Sequence, residues 1–207
     1  DEAALRTEYL PPFAAAIDAG ALSIMVGLHT WGDDRVIRQK YLLTDVLKGE
    51  LGFTGFLVSD WYGVYEGKTS TFIATIQALN AGVDMVMLPF DYRAFVRNVT
   101  WANRLGLISD ARIDDAVRRI LRAKFALGLF DSSSEAATET VSDSAAQALA
   151  REAVGKSAVL LKNTDNLLPL RPSTPRILVA GGSADNIGKQ MGAWSIEWQG
   201  IDGNWSA

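Results

Sequence analysis

The stretch Gly55-Phe56-Leu57-Val58-Ser59-Asp60-Trp61 decides the fold class, because an apolar run of strand length ends abruptly in a carboxylate and an indole. Strands of a parallel α/β sheet are buried on both faces and read as unbroken apolar runs, and catalytic groups collect where such strands end. The sequence therefore predicts a parallel strand with Asp60 at its exit as a candidate nucleophile. The alternative is that Asp60 caps the following turn or helix, since Asp is a favoured cap residue.

Strand-like runs alternate with helical stretches along the first part of the chain. The runs at 22–27, 55–60 and 84–88 are followed by helical patterns over 40–50, 71–81 and 92–105. The strand-like runs recur about every 30 residues, which is the length of a βα unit and predicts a parallel sheet with crossover helices. A barrel and a doubly wound sheet both satisfy this α/β pattern.

The segments that follow predict where the first domain ends. Residues 114–127 carry apolar side chains at helical spacing and end at Gly128, as an amphipathic capped helix does. Residues 131–144 are rich in Ser, Thr, Glu and Ala without apolar periodicity, a composition typical of a solvated linker. We therefore place a first domain at 1–131 and a linker with a helix at 132–156.

Residues 157–207 are predicted to open a second α/β domain. The apolar runs 158–161 and 177–182 have the length of strands, and a turn-like segment at 169–175 separates them. About 50 residues are too few to seal such a core. The helical stretch 9–19 likewise has no strand before it to cross over from. We expect a fragment that is truncated in both domains.

Composition excludes several classes of function. Twenty basic against twenty-four acidic residues give a net charge of −4 and no basic stripe, which argues against a nucleic-acid partner. No apolar run reaches the roughly 18 residues of a membrane span, and the first residues lack the basic start of a signal peptide. The chain has no Cys and only His29, so neither a thiolate or His-cluster metal site nor a Ser-His-Asp triad is available. Hydrolysis by this chain would rest on carboxylates, and we expect no metal and no cofactor.

Two groups of residues suit carbohydrate chemistry. A carboxylate such as Asp60 can attack an anomeric carbon while a neighbouring indole, here Trp61, offers an apolar face to a sugar ring. Further along, Trp194 and Trp198 lie four residues apart beside Gly and polar residues, which favours a loop presenting aromatic rings. Core or interdomain packing is the alternative for this pair, because Trp is usually highly buried.

Taken together, these motifs resemble glycoside hydrolase family 3, the β-glucosidases and exo-β-glucanases. The resemblance runs through nearly the whole chain, and its motifs follow the order of that family. The matching runs are 41–53, 55–61, 81–85, 113–121, 160–163, 166–170 and 192–200.

This resemblance implies the C-terminal part of a (β/α)8 barrel followed by the start of an α/β sandwich domain. It implies that Asp60 is the nucleophile of a retaining mechanism and that Trp61 borders the sugar. Trp198 would pair with Trp61 to clamp a glucosyl unit, and Trp194 would help to form the same subsite. The implied reaction releases β-D-glucose from the non-reducing end of β-glucosides or β-glucans. A secreted or periplasmic location is favoured, and the oligomeric state stays open.

Other polar residues receive lesser roles. The family often has Ser-Trp-Asn-Gly where this chain has His29-Thr30-Trp31-Gly32-Asp33, which makes His29 a loop residue near the site, with packing as the better interpretation. Glu197 matches no acid/base position of the family and is expected to be structural or to line a subsite. Asp84 is expected to support the barrel by hydrogen bonds. The resemblance places the general acid/base Glu beyond Ala207 and further sugar-binding residues before Asp1, so the isolated fragment is expected to be inactive.

Two rival functions remain open. One is a non-catalytic glucan-binding relative that uses Trp61, Trp194 and Trp198. The other is a phosphorylase or N-acetylhexosaminidase of the same family, against which the Trp-rich motif of the second domain argues. Asp60 discriminates the enzyme from the binding module, which has no need of a carboxylate between aromatic walls.

Overall fold

The computed structural model describes residues 1–67, 70–131, 144–194 and 198–204. The chain separates into two compact units, Asp1–Ala136 and Ala137–Ala207. The boundary falls in residues 132–143, so the predicted linker lies outside the described residues. Within the described ranges, no helix is both long and apolar enough to cross a lipid bilayer.

The first unit is built on parallel strands. Strands β1 (Ser23–Val26) and β4 (Phe56–Ser59) pair in parallel, with Ser23 opposite Phe56 and Val26 opposite Ser59. Met85 joins the far side of β4 through a single parallel bridge to Val58. The predictions of parallel strands at 22–27 and 55–60 are confirmed.

The predicted strand at 84–88 is wrong in length, because only Met85 is in the ladder. The backbone N–H of Met87 donates to the side chain of Ser59, which ends regular pairing there. Between β1 and β4 lies a short antiparallel hairpin, β2 (Thr30–Trp31) and β3 (Asp34–Arg35).

Helices precede and follow these strands along the chain. The chain opens with α1 (Glu2–Ala4), a π-helical turn (Leu5–Tyr9) and α2 (Leu10–Asp18), and continues with a 3-10 turn (Val36–Arg38), a π-helix (Tyr41–Glu50), a 3-10 turn (Gly63–Tyr65), α3 (Thr71–Ala81), α4 (Tyr92–Arg104) and α5 (Asp110–Ala126). The helices predicted at 40–50, 71–81 and 92–105 are confirmed to within one residue at each end. Helix α5 begins four residues before the predicted position, because the Ser109 side chain caps it by accepting the N–H of Arg112.

The core of the first unit lies between the strands and the helices that follow them. Leu57 on β4 is fully buried, and Phe53, Val83 and Leu47 pack in the same cluster. A second cluster joins α3 to α4, with Leu79, Ala102 and Ile108 at its centre. The α/β expectation is thereby met by the packing of the first unit.

A network of buried ion pairs and hydrogen bonds lies at the amino ends of the strands. The carboxylate of Asp84 is inaccessible to solvent, and each of its oxygens lies 2.8 Å from the Lys48 amino group. Asp84 also accepts the backbone N–H of Leu57 at 2.8 Å and pairs with Arg112 of α5. Burial lowers the pKa of Lys48 to about 8, although its hydrogen bond to Asp84 acts in the opposite direction. The expectation that Asp84 supports the strands by hydrogen bonds is confirmed.

Helix α5 continues this network. Asp115 accepts from Arg112 at 2.6 Å and from Arg119 at 2.9 Å. Arg119 in turn donates to the carbonyls of Phe53 and Gly55, which lead into β4. Charged side chains of α5 therefore hydrogen-bond to the main chain just before β4, the strand that precedes Asp60.

The second unit contains α6 (Ser144–Ser157), a 3-10 turn (Thr164–Asn166) and α7 (Ile187–Met191). The strands predicted at 158–161 and 177–182 are wrong for the structure, which assigns no strand to either run. Leu161 is 91% exposed and Leu178 is 90% exposed. An apolar run forms a strand only when a neighbour supplies hydrogen bonds and a buried face, and these two side chains face solvent.

Candidate active site

Asp60 lies at the carboxyl end of β4, where the chain leaves the sheet. Its backbone N–H donates to the carbonyl of Val26 on β1 at 3.1 Å. Its carbonyl accepts the N–H of Gly63 at 3.0 Å, which closes a tight turn. The prediction that Asp60 follows the strand directly is confirmed, and this end of a parallel sheet is where α/β enzymes place reacting groups.

The carboxylate of Asp60 is half-buried and takes part in the turn that it begins. One oxygen, Oδ1, accepts the backbone N–H of Trp61 at 2.6 Å. The 3-10 turn Gly63–Tyr65 has Tyr62 at its N-cap position, without a capping side chain. The carboxylate is therefore bonded to the main chain of the turn that it begins, and it does not cap the 3-10 turn Gly63–Tyr65.

Trp61 and Tyr62 form an aromatic ledge beside this carboxylate. Trp61 is 40% exposed, and its ring meets that of Tyr62 edge to face at a centroid distance of 6.3 Å. Tyr62 has a positive φ of 56°, a conformation that costs energy in a bulky residue and recurs at functional sites. Its N–H donates to the Met87 carbonyl at 3.0 Å, which holds this backbone in place. Burial raises the pKa of Tyr62, and the influence of Asp91 acts in the same direction.

His29 lies in a loop, as predicted, and lines a separate cavity. This cavity of about 530 Å³ is mostly apolar and lies between the first helices and β1, with Tyr9, Phe13 and Trp31 among its walls. Its described walls do not include Asp60 or Trp61. The His29 carbonyl accepts the N–H of Val36, which helps to close the hairpin loop.

The two tryptophans of the second unit form a pair. Trp194 is 81% exposed and Trp198 is 46% exposed, and their rings meet edge to face with centroids 5.7 Å apart. The N–H of Trp194 donates to the carbonyl of Trp198 at 2.8 Å. Both rings are accessible to solvent. The loop predicted between them, with Glu197, falls on residues 195–197, outside the described residues.

Sequence reasoning missed the groups that hold the Asp60 turn. Met87 follows no motif, and its carbonyl accepts the N–H of Tyr62, which lies 25 positions earlier. Ser59 reads from the sequence as an ordinary strand residue. Its position directly before the carboxylate, at the polar end of an apolar run, was the signal that could have identified it. Among the described residues, no three His, Cys, Asp or Glu side chains are grouped closely enough to hold a metal ion.

Comparison with known proteins identifies the family. Residues 1–123 match the model of the glycosyl hydrolase family 3 N-terminal domain, which is more than half of the chain. The chain belongs to glycosyl hydrolase family 3. The resemblance that its motifs predicted is confirmed.

Two relatives in this family illustrate its range. A lysosomal beta glucosidase from Dictyostelium discoideum is 37% identical over an alignment of 211 positions, which covers 96% of this chain and 26% of the relative. A beta-xylosidase from Formosa agariphila is 37% identical over 216 residues, covering 94% of this chain and 29% of the relative. The chain thus spans about a quarter of the length of the family 3 proteins that it matches.

Solved structures of family 3 enzymes share the fold of this chain. An exo-1,3/1,4-beta-glucanase from a Pseudoalteromonas species superposes with a TM-score of 0.77 at 42% identity, over 96% of this chain and 26% of that one. A beta-glucosidase from Listeria innocua, solved in complex with glucose, gives a TM-score of 0.68 at 33% identity, over 82% of this chain and 24% of that one. The α/β fold class is therefore shared with glycoside hydrolases.

Proposed function

We propose that the full-length protein carrying this sequence is a retaining β-glycosidase with Asp60 as its nucleophile. Its substrates are β-glucosides or β-glucans, from whose non-reducing ends it releases β-D-glucose. The observation that carries the proposal is the half-buried carboxylate of Asp60, at the carboxyl end of a parallel strand and beside the exposed ring of Trp61. Family membership and the glucosidases and glucanases among the relatives supply the substrate class.

The proposed reaction has two steps. The Asp60 carboxylate forms a bond to the anomeric carbon while the glycosidic C–O bond breaks, and a general acid protonates the departing oxygen. Water then attacks the anomeric carbon, gives its proton to the same group and frees the Asp60 carboxylate. Retaining enzymes hold the two carboxyl groups about 5 to 5.5 Å apart. We assign the second role to no residue of this chain and expect the 207 residues alone to be inactive.

Trp61, Trp194 and Trp198 are the proposed sugar-binding residues. All three rings are exposed enough to stack on a glycan, and Trp61 adjoins the nucleophile directly. An aromatic ring gives a sugar an apolar platform and loses little conformational entropy on binding. The Trp194 and Trp198 pair is proposed to bind sugar as one surface of the second unit.

The architecture of the full-length protein is also proposed. The three parallel segments of the first unit follow one another in space as they do in sequence, which suits part of a (β/α)8 barrel. On this proposal 1–131 belongs to the barrel, 132–156 connects the domains, and 157–207 begins an α/β sandwich domain.

The exposed tryptophans favour one alternative, a glucan-binding relative that cleaves no bond. Proton NMR of the full-length protein with an aryl β-glucoside separates the two functions. We expect the β-anomer of glucose to appear first, because two displacements retain configuration. An aryl β-xyloside run in parallel tests the sugar, since a beta-xylosidase is among the relatives. Binding of glucan without release of any sugar would replace this proposal with the binding function.

A further inference from the structure

At the end of the strand that precedes Asp60, a side-chain hydroxyl replaces a backbone carbonyl as a hydrogen-bond acceptor. Leu57 accepts the N–H of Met85 at 2.9 Å, and Met85 accepts the N–H of Ser59 at 2.9 Å, in the regular alternation of a parallel ladder. The next donor in that alternation is the N–H of Met87, whose regular acceptor would be the Ser59 carbonyl. It donates instead to the Ser59 side chain, with 2.9 Å between nitrogen and Oγ.

The same hydroxyl reaches the candidate nucleophile. Ser59 Oγ donates to the carbonyl of Asp60 at 2.9 Å. Ser59 is fully buried, so neither bond competes with bulk water. One hydroxyl thus accepts from the neighbouring segment and donates to the residue that leaves the sheet, a combination that uses both capacities of a serine.

These bonds enclose the Asp60 turn from two sides. On one side β1 accepts the N–H of Asp60 through Val26. On the other side Met87, held by Ser59, accepts the N–H of Tyr62 at 3.0 Å. The main chain of residues 59–62 is therefore held by hydrogen bonds between β1 and the segment that contains Met87. The Ser59 hydroxyl is the side-chain group that takes part in these hydrogen bonds.

We propose that Ser59 is a positioning residue for the nucleophile. Its hydroxyl ends the β4 ladder and orients the Asp60 peptide, so that the carboxylate is aimed out of the sheet. This inference rests on the proposed function, because it assigns to Ser59 an effect on the covalent step of Asp60. Substituting Ser59 with Ala removes both bonds and leaves the Met87 N–H without its acceptor, while the methyl group fits the same space.

The covalent step can be measured directly in the full-length protein with 2-deoxy-2-fluoro-β-D-glucosyl fluoride, which forms a long-lived glycosyl adduct. For Ser59→Ala we expect the inactivation rate constant to fall roughly tenfold to a hundredfold with little change in the inhibitor dissociation constant, because misplacement by about 1 Å has effects of this size. Ser59→Thr keeps the hydroxyl and is expected to react faster than Ser59→Ala.

Thr44→Val is the matched control. It removes a hydroxyl that donates to the Ala81 carbonyl at 2.8 Å, near the amino ends of the strands. We expect it to leave the inactivation rate constant unchanged. A purely structural role for Ser59 would lower thermal stability in Ser59→Ala while leaving the rate constant unchanged.

Three results would overturn the proposal. One is a rate constant in Ser59→Ala within about twofold of the wild type, and another is equal rates in the Ala and Thr variants. The third is an equal loss in Thr44→Val. If the wild-type protein forms no adduct on Asp60, the proposed function itself fails and this inference fails with it. The two failures are distinguishable, because only the first three results require an adduct in the wild type.

Discussion

Two aspartates mark the two ends of the same parallel strands, and their surroundings differ completely. At the carboxyl end, Asp60 is half-buried and its Oδ1 accepts the backbone N–H of Trp61. At the amino end, the Asp84 carboxylate is inaccessible to solvent and lies between Lys48 and Arg112. Residue type is the same in both places, so position on the strand and local charge decide what each carboxylate can do.

The different surroundings of Asp60 and Asp84 suit different roles for the two carboxylates. A carboxylate paired with two cations has its charge neutralised and its lone pairs occupied, which makes it a poor nucleophile. Asp84 therefore joins helix and strand, whereas Asp60 adjoins the aromatic ledge where a sugar could approach. The same division is general in parallel α/β folds, whose carboxyl ends carry function and whose amino ends carry stability.

The largest expected effect is the loss of activity in Asp60→Asn. Asn keeps an oxygen that can accept the Trp61 N–H but cannot form the glycosyl ester, so kcat/KM should fall at least about a thousandfold, or roughly 4 kcal/mol of barrier. The free energy of unfolding should change by less than about 0.5 kcal/mol. Hydrolysis of an aryl β-glucoside and urea unfolding of the full-length protein measure the two quantities. Activity near that of the wild type would remove Asp60 from the mechanism.

Asp84→Asn should show the opposite result. It removes the buried carboxylate shared by Lys48 and Arg112 and leaves Asp115 as their remaining anionic neighbour. Breaking a buried pair in this way costs about 3–5 kcal/mol. Asp45→Asn is the matched control, because its pair with Lys40 is exposed and should contribute less than about 1 kcal/mol. Urea unfolding followed by tryptophan fluorescence compares them. Equal free energies of unfolding in the two variants would show that the buried charge network does not stabilise the fold.

A smaller effect is expected from Trp61→Ala. Loss of the indole platform should raise KM about tenfold to a hundredfold, which corresponds to roughly 1.5–3 kcal/mol of apolar contact. Trp101→Ala is the comparison, since Trp101 is a half-exposed tryptophan on α4. Steady-state kinetics with one aryl β-glucoside tests both variants. Indistinguishable KM values would exclude a sugar contact for Trp61.

The last effect concerns the pH dependence of stability. Burial lowers the folded-state pKa of Lys48 to about 8, below its unfolded value of about 10.4. Between these pH values the unfolded chain binds more protons at this site, so the contribution of Lys48 to the free energy of unfolding rises with pH. From pH 8 to about 10.4 the wild type should gain at most about 3 kcal/mol relative to Lys48→Met.

Lys40→Met is the control for the substitution itself, because Lys40 lies in an exposed ion pair and not in the buried network. Urea unfolding at a series of pH values provides the measurement. A stability difference that shifts toward Lys48→Met as the pH rises would contradict the assigned direction.

Much of the first unit could be predicted from sequence because its signals are local. The apolar run ending in Asp60 and the helical periodicity of α3 and α4 depend on neighbours within a few residues. The hydrogen bond from the Met87 N–H to the Ser59 hydroxyl could not be predicted in this way, because it joins residues 28 positions apart. Side-chain partners across a sheet are set by register, which the sequence of one strand does not contain.

The second unit shows the other limit. The runs 158–161 and 177–182 have strand composition, yet a strand also needs a partner, and Leu161 and Leu178 face solvent. The loop predicted between Trp194 and Trp198 falls on residues 195–197, outside the described residues. Local composition thus failed for the two strands, because it does not contain the partner that a strand needs.

The most direct test of the central claim is to locate the covalent intermediate. The full-length protein would be treated with a 2-deoxy-2-fluoro-glucoside, digested and mapped by mass spectrometry. We expect a fluoroglucosyl adduct on the peptide containing residues 55–61, with fragmentation assigning it to Asp60. An adduct on any other carboxylate, or glucose release without an adduct at Asp60, would contradict it.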